Sequence, residues 1–175
     1  MGTFMASVSF RRTDSVKWPE WKRKIAEMYQ DVDGLVSDLE QDKKAYAIVS
    51  PYGDLGMFLA DIPEMVSGLT GDYSVFCVCV DSDFALLELY HNGQRIEKSA
   101  IGHTEFLAEI DEMEDVQLPE LSLWKPLLQK PEDAQALQNA FTEESVLVED
   151  QLRKISSLTG IPIFEDALVF YEDFA

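Results

Sequence analysis

Basic residues are scarce in this chain: 14 Lys or Arg stand against 33 Asp or Glu in 175 residues, a formal net charge of −19. The shortage is local. Residues 1–50 hold eight of each sign, while residues 51–175 hold six basic and 25 acidic residues and so carry the whole excess. Such a surface repels a phosphate backbone and an anionic lipid headgroup alike. Nucleic acid and membrane are therefore excluded as expected partners, and a basic protein is the partner that charge favours. No run approaches the ~20 consecutive apolar residues of a membrane helix. The first twelve residues lack the apolar core and early positive charge of a secretory signal, and Ala6 breaks the myristoylation pattern after Gly2. A cytoplasmic location is expected.

Cysteine and histidine are equally sparse, with two of each. Cys77 and Cys79 lie in the apolar run Val75-Phe76-Cys77-Val78-Cys79-Val80. Two residues apart on a strand, their side chains run parallel, which is poor geometry for a mutual disulfide. Two ligands also fall short of the four a structural zinc site uses. They are expected to be reduced core thiols. His91 adjoins an Asn-Gly turn and His103 precedes a helix cap, and neither has a defined partner that would make it a general base. No Gly-x-Ser-x-Gly nucleophile motif and no Gly-rich phosphate loop occurs. No repeat, low-complexity segment or Gly/Ser linker interrupts the chain, so residues 1–175 are expected to form a single domain.

Alternation of apolar and polar residues predicts a strand over 4–11. Trp18, Trp21, Ile25 and Met28 make one apolar face of a helix over 18–30, with Lys22, Arg23 and Lys24 on the other. Leu35, Val36 and Leu39 fit a short helix, residues 45–50 and 55–60 a pair of strands around Pro51-Tyr52-Gly53-Asp54, and residues 61–71 a helix capped by Asp61 and ended by Gly71. Residues 73–80 are apolar throughout and predict a central strand covered on both faces. After Asp81-Ser82-Asp83 a second strand runs to Tyr90. Asn92-Gly93 then signals a tight hairpin, because positive φ is needed at both central positions, and the third strand covers 94–100, with Tyr90 facing Arg95 and Leu89 facing Ile96. The remainder reads as helical: 105–115 with Phe106, Ile110 and Met113 inside, 121–128 around Trp124, 131–140 after Pro131, and a helix capped by Thr142 with Glu143 and Glu144 in its first turn, Lys154 in its last and Val148, Leu152 and Ile155 on its inner face, stopped by Gly160. A last short strand is expected over 167–171. Strands early and helices late predict an α+β fold, an antiparallel β meander in the first ~100 residues packed against the helices that follow.

Two acidic patterns are candidate sites. Asp81-Ser82-Asp83, at the end of a buried strand, could present the carboxylates of Asp81 and Asp83 to Mg²⁺ or Mn²⁺, which prefer oxygen ligands. Three short polar residues between strands also satisfy a hairpin turn, with no metal needed. The second pattern is the predicted acidic helix, where Glu105, Glu109, Asp111, Glu112, Glu114 and Asp115 fall within eleven residues. Like charges at helical spacing cost a few tenths of a kcal/mol each, so this crowding marks it as a partner-binding face. The basic cluster Arg11, Arg12, Lys17, Lys22, Arg23 and Lys24 is balanced by Asp14 and Glu20 and does not form a nucleic-acid site.

The stretch from Val75-Phe76-Cys77-Val78-Cys79-Val80-Asp81-Ser82-Asp83 through Leu89-Tyr90-His91-Asn92-Gly93 resembles small bacterial proteins in which an apolar strand ends in Asp-Ser-Asp and a Leu-Tyr-x-x-Gly hairpin follows. Leu158-Thr159-Gly160-Ile161-Pro162 looks like their C-terminal Leu-Gly-Ile-Pro, with Thr159 as a departure. Those proteins are similar in style to the immunity and adaptor proteins of bacterial toxin systems. The resemblance implies no catalytic residue and no cofactor. The expected function is that of a non-enzymatic acidic protein-binding module in the bacterial cytoplasm. The alternative is a metal-dependent transferase or hydrolase built on Asp81 and Asp83.

Overall fold

The computed structural model describes residues 5–11, 35–37, 45–50, 61–109, 116–164 and 171–173, together with residues 20, 23, 24 and 27, which are helical. The described strands are β1 (Met5–Arg11), β2 (Leu35–Ser37), β3 (Ala45–Ser50), β4 (Tyr73–Val80), β5 (Phe84–His91), β6 (Gln94–Gly102) and β7 (Tyr171–Asp173). They form one sheet in the order β6-β5-β4-β1-β3-β2-β7, with every pairing antiparallel. The described α-helices are α1 (Ile62–Thr70), α2 (Leu121–Trp124), α3 (Ala134–Thr142) and α4 (Val148–Thr159). The fold is α+β, an antiparallel sheet drawn largely from the first ~100 residues and packed against the helices that follow.

The meander β4-β5-β6 follows from local chemistry. Asn92 and Gly93 both take positive φ, 51° and 76°, and close the β5–β6 hairpin. Tyr90 faces Arg95 as expected, but Leu89 faces Glu97, because a bulge at this point leaves Ile96 without an opposite residue. β1 then enters between β3 and β4, pairing Val8 with Ile48 on one side and with Phe76 on the other.

Both faces of the sheet are covered at β1, β4 and β5. Met5, Val75, Cys77, Cys79, Leu87 and Leu89 pack with Trp124, Leu137, Phe141, Leu152 and Ile155 from α2, α3 and α4. The opposite residues Ala6, Val8, Phe10, Phe76 and Tyr90 pack with Ile62 and Val66 of α1. Two serines of β1 face the first layer and are fully buried. Ser7 Oγ donates to the Ile163 carbonyl at 3.0 Å and Ser9 Oγ to the Pro162 carbonyl at 2.7 Å. Arg11, at the end of β1, donates its guanidinium to the carbonyls of Leu127 and Thr159. The second lies at the C-terminus of α4, where the helix dipole favours a cation.

Several boundaries differ from those expected. Residues 35–37 are β2 and not a short helix: the apolar pair Leu35-Val36 fits either period, and pairing with Val49 and Ile48 decides it. Asp61 precedes α1 but makes no side-chain cap bond. The expected helix over 105–115 begins as a 3₁₀ helix, Thr104–Glu109, and residues 110–115 lie outside the described residues. Residues 121–128 split into α2 and a 3₁₀ turn, Lys125–Leu127, and Pro131 opens another 3₁₀ turn, Pro131–Asp133, before α3. Thr142 ends α3 instead of capping α4, its hydroxyl donating to the Gln138 carbonyl at 3.1 Å. The first turn of α4 therefore carries Glu149 and Asp150, not Glu143 and Glu144, and its last turn holds no cation, so Lys154 is not there. The expected strands over 55–60 and 167–170 fall outside the described residues, as does most of the helix over 18–30.

No described helix is long and apolar enough to cross a membrane. Burial of Cys77, with none of its surface exposed among Trp124-side apolar neighbours, carries a stability prediction. Cys77→Ser should lower unfolding free energy by about 1–3 kcal/mol, since the site supplies apolar contacts to a hydroxyl. A urea midpoint identical to wild type would contradict this.

Candidate functional site

Asp81 and Ser82 both adopt positive φ, 49° and 62°, which only Gly adopts at no cost and Asn or Asp adopt readily. The strain is held by the surroundings. Asp83 N–H donates to the Val80 carbonyl at 3.0 Å, closing the turn. The Ser82 carbonyl accepts the Val148 N–H at 3.0 Å, satisfying one of the free amides at the start of α4. The Asp83 carbonyl accepts the His103 N–H at 2.9 Å. Ser82 Oγ donates to Glu149 Oε1 at 2.5 Å, and Glu149 is buried in the first turn of α4, where a carboxylate suits the dipole. Gly102 permits this packing: it has φ 88°, and a Cβ there would collide with the Asp83 carbonyl.

The turn thus meets two segments far from it in sequence, through the His103 amide after β6 and through Val148 and Glu149 at the start of α4. Asp81, Asp83 and Glu105 are exposed, as is Glu144 in the loop 143–147 that leads into α4. His103 Nδ1 lies 3.5 Å from Glu105 Oε1, Arg153 reaches Asp150 at 2.6 Å, and Lys154 meets Glu143. Asp83 and Glu144 have no ion-pair partner among the described residues. The same loop presents Val146, 88% exposed, and Leu147, 45% exposed. Val146 is the most exposed large apolar residue described.

The chain matches no protein-family model, no curated protein and no solved structure.

The structure brings Asp81 and Asp83 together with Glu105, the first residue of the acidic segment. Glu109 ends the 3₁₀ helix Thr104–Glu109, while Asp111, Glu112, Glu114 and Asp115 lie outside the described residues. The Val146-Leu147 pair escapes the sequence pattern, which places Glu143 and Glu144 in a helical first turn. The signal was present: two charged residues, a serine and three consecutive apolar residues do not fit a helical stripe. Among the described residues, no group of three or more His, Cys, Asp or Glu side chains is placed to hold a metal ion. A cation on Asp81 and Asp83 would take its other ligands from water or phosphate.

Beneath the turn lie the two thiols. Burial pushes the Cys79 thiol up to about 12, with the nearby Glu149 carboxylate adding to the rise and the Ser82 backbone opposing it. Burial likewise raises Cys77 well above the usual thiol value, with Cys79 contributing. Neither is therefore a thiolate nucleophile at neutral pH.

Two predictions follow from this geometry. Ser82→Ala removes a donor from a buried carboxylate and should cost about 1–3 kcal/mol in urea unfolding; an unchanged midpoint would show that the bond contributes nothing. The raised Cys79 pKa means that the folded state disfavours the thiolate. Its contribution to stability is full below the unfolded thiol value near 9 and is lost as pH rises towards about 12. Cys79→Ala should thus flatten the decline of the denaturation midpoint between those pH values, and equal slopes in the two proteins would refute the assignment.

Proposed function

We propose that the protein is a non-enzymatic module that holds a basic protein partner against its acidic pole. The observation that supports this most directly is the exposed Val146-Leu147 pair in the loop that runs into the Ser82–Val148 junction, with Asp81, Asp83, Glu105 and Glu144 exposed on the segments which meet near it. An apolar anchor inside a charged rim is the usual anatomy of a protein interface. The charges serve a different purpose from the anchor. Surface carboxylates accelerate encounter with a cationic partner and reject anionic ones, while buried apolar contact slows release. Glu109, Asp111, Glu112, Glu114 and Asp115 add five acids to the chain that continues from Glu105, and belong to the same proposed face. The acidic excess of residues 51–175 makes a phosphate-bearing partner unfavourable.

The resemblance to immunity and adaptor proteins of bacterial toxin systems agrees with such a role, and a cationic toxin is the partner class it suggests. No catalytic residue and no cofactor enter this reading.

The test separates the two kinds of contact. With a partner recovered from the source cell, Asp83→Asn combined with Glu144→Gln should slow association at low salt and converge on wild type at high salt, as screening shortens the Debye length. Val146→Ala combined with Leu147→Ala should leave association nearly unchanged and speed dissociation about tenfold or more. Superimposed salt curves and unchanged dissociation would sink the proposal. A saturable rise in Tm with Mn²⁺, lost in Asp83→Asn, would instead assign the turn to the metal-dependent alternative. At 100 times the dissociation constant that rise would correspond to about 2.7 kcal/mol.

A further inference from the structure

A second feature lies at the other end of β5, some eight residues from the acidic turn and so roughly 26 Å away at ~3.3 Å per residue. There the β5–β6 turn rests on α1 through two glycines. A Cβ on Gly68 would stand 3.4 Å from the Gly93 Cα, and one on Gly93 would stand 3.3 Å from the Gly68 Cα. The helix and the hairpin therefore touch backbone to backbone. Gly93 N–H donates to Ser67 Oγ at 2.9 Å and pins the contact. Because neither glycine carries a side chain, a depression of about 440 Å³ opens beside them. Its lining is Asp61, Glu64, Met65, Gly68, Leu69 and Gly93.

The spacing of these residues on α1 explains the chemistry of the lining. Positions 61, 64, 65, 68 and 69 fall on one face of the helix at intervals of three and four. They place two carboxylates towards its start and two flexible apolar side chains, Met65 and Leu69, alongside. Asp61 has the residue type and position of an N-cap, yet its side chain makes no cap bond. Neither Asp61 nor Glu64 is in an ion pair or side-chain hydrogen bond among the described residues. The lining contains no cation. The start of a helix carries about half a positive charge, which two carboxylates outweigh. Glu64 also acts, as the smallest of several influences, on the Tyr90 phenol. The phenol is held protonated well above its usual range by burial and by Glu88, with Arg95 opposing and Glu64 adding to the rise.

We infer that this depression receives an organic cation on an aliphatic stem, in the form of a lysine or arginine side chain from a basic protein. Met65 and Leu69 cover the methylene stem, which is the part of such side chains that favours apolar contact. Glu64 and Asp61 receive the charged head, and a guanidinium, which pairs with a carboxylate through two parallel N–H donors, suits them best. The glycine floor is rigid because Ser67 fixes the hairpin to the helix, so little ordering is required on binding. This inference goes beyond the acidic pole: it uses different residues, at the opposite end of the strand.

The probe is blocked arginine, N-acetyl-arginine-N-methylamide, titrated into the whole protein and followed by NMR. The expected result is saturable movement of the Met65 methyl and of the Gly68 and Gly93 amides. N-acetyl-citrulline-N-methylamide, which keeps the stem and loses the charge, should produce none. Glu64→Gln, at an exposed position, should weaken the arginine probe about five-fold, the scale of an exposed ion pair. A protein carrying Asp83→Asn and Glu144→Gln should bind the probe as wild type does, so that failure here and failure of the acidic pole can be told apart. Shifts spread over the whole acidic surface, or equal binding of citrulline, would overturn the inference. Tighter binding of putrescine than of blocked arginine would overturn the protein side chain as the occupant in favour of a free polyamine.

Discussion

The constraint on which the rest of the molecule depends is the position of β1. It is buried from Met5 to Phe10, with β3 on one side and β4 on the other. A central strand must satisfy every backbone group through its neighbours and cover both sets of side chains. β1 meets the second demand with Ala6, Val8 and Phe10 against α1, and with Met5 against the helical layer. Ser7 and Ser9 are polar and buried on that same helical side, and they are tolerated because the turn at residues 161–163 offers carbonyls to both. This makes the segment after α4 part of the core. Arg11 completes the junction by binding the Thr159 carbonyl at the end of α4.

A second junction has a similar design at the other end of α4. Its first amide is received by the Ser82 carbonyl and its buried Glu149 by the Ser82 hydroxyl. One residue in a strained conformation thus positions a whole helix, and the helix in turn holds that residue in a region of φ it would not choose alone. The same constraint displays Asp81 and Asp83 outward, and directs the loop before α4 towards solvent. The acidic pole is in this sense a by-product of how α4 is started.

Local patterns were legible where the physics is local. The unbroken apolar run at 75–80, the Asn92-Gly93 turn and the stop at Gly160 are decided by neighbours within a few residues, and each appears where expected. Residues 35–37 were misread because two adjacent apolar residues fit helix and strand equally, and only pairing with β3 distinguishes them. The 3₁₀ form of residues 104–109 depends on contacts that periodicity does not encode. The same limit applied to function. Asp81, Asp83 and Glu105 could be nominated one by one, but their convergence with Val146 depends on hydrogen bonds between residues 82 and 148 and between 83 and 103. The depression over Gly68 and Gly93 was invisible for the same reason: it requires two glycines 25 positions apart to meet.

The central place of β1 also has a consequence in time. During synthesis this strand leaves the ribosome about seventy residues before β4, one of its partners. At ~5–20 residues per second the wait lasts several seconds. Throughout it a segment with one apolar side, Ala6, Val8 and Phe10, and amides meant for β4 is without that neighbour. The β4-β5-β6 meander, joined by short turns, has no such delay. Assembly is therefore expected to run against the order of translation, with the later hairpins forming a template onto which the earlier strand is then laid.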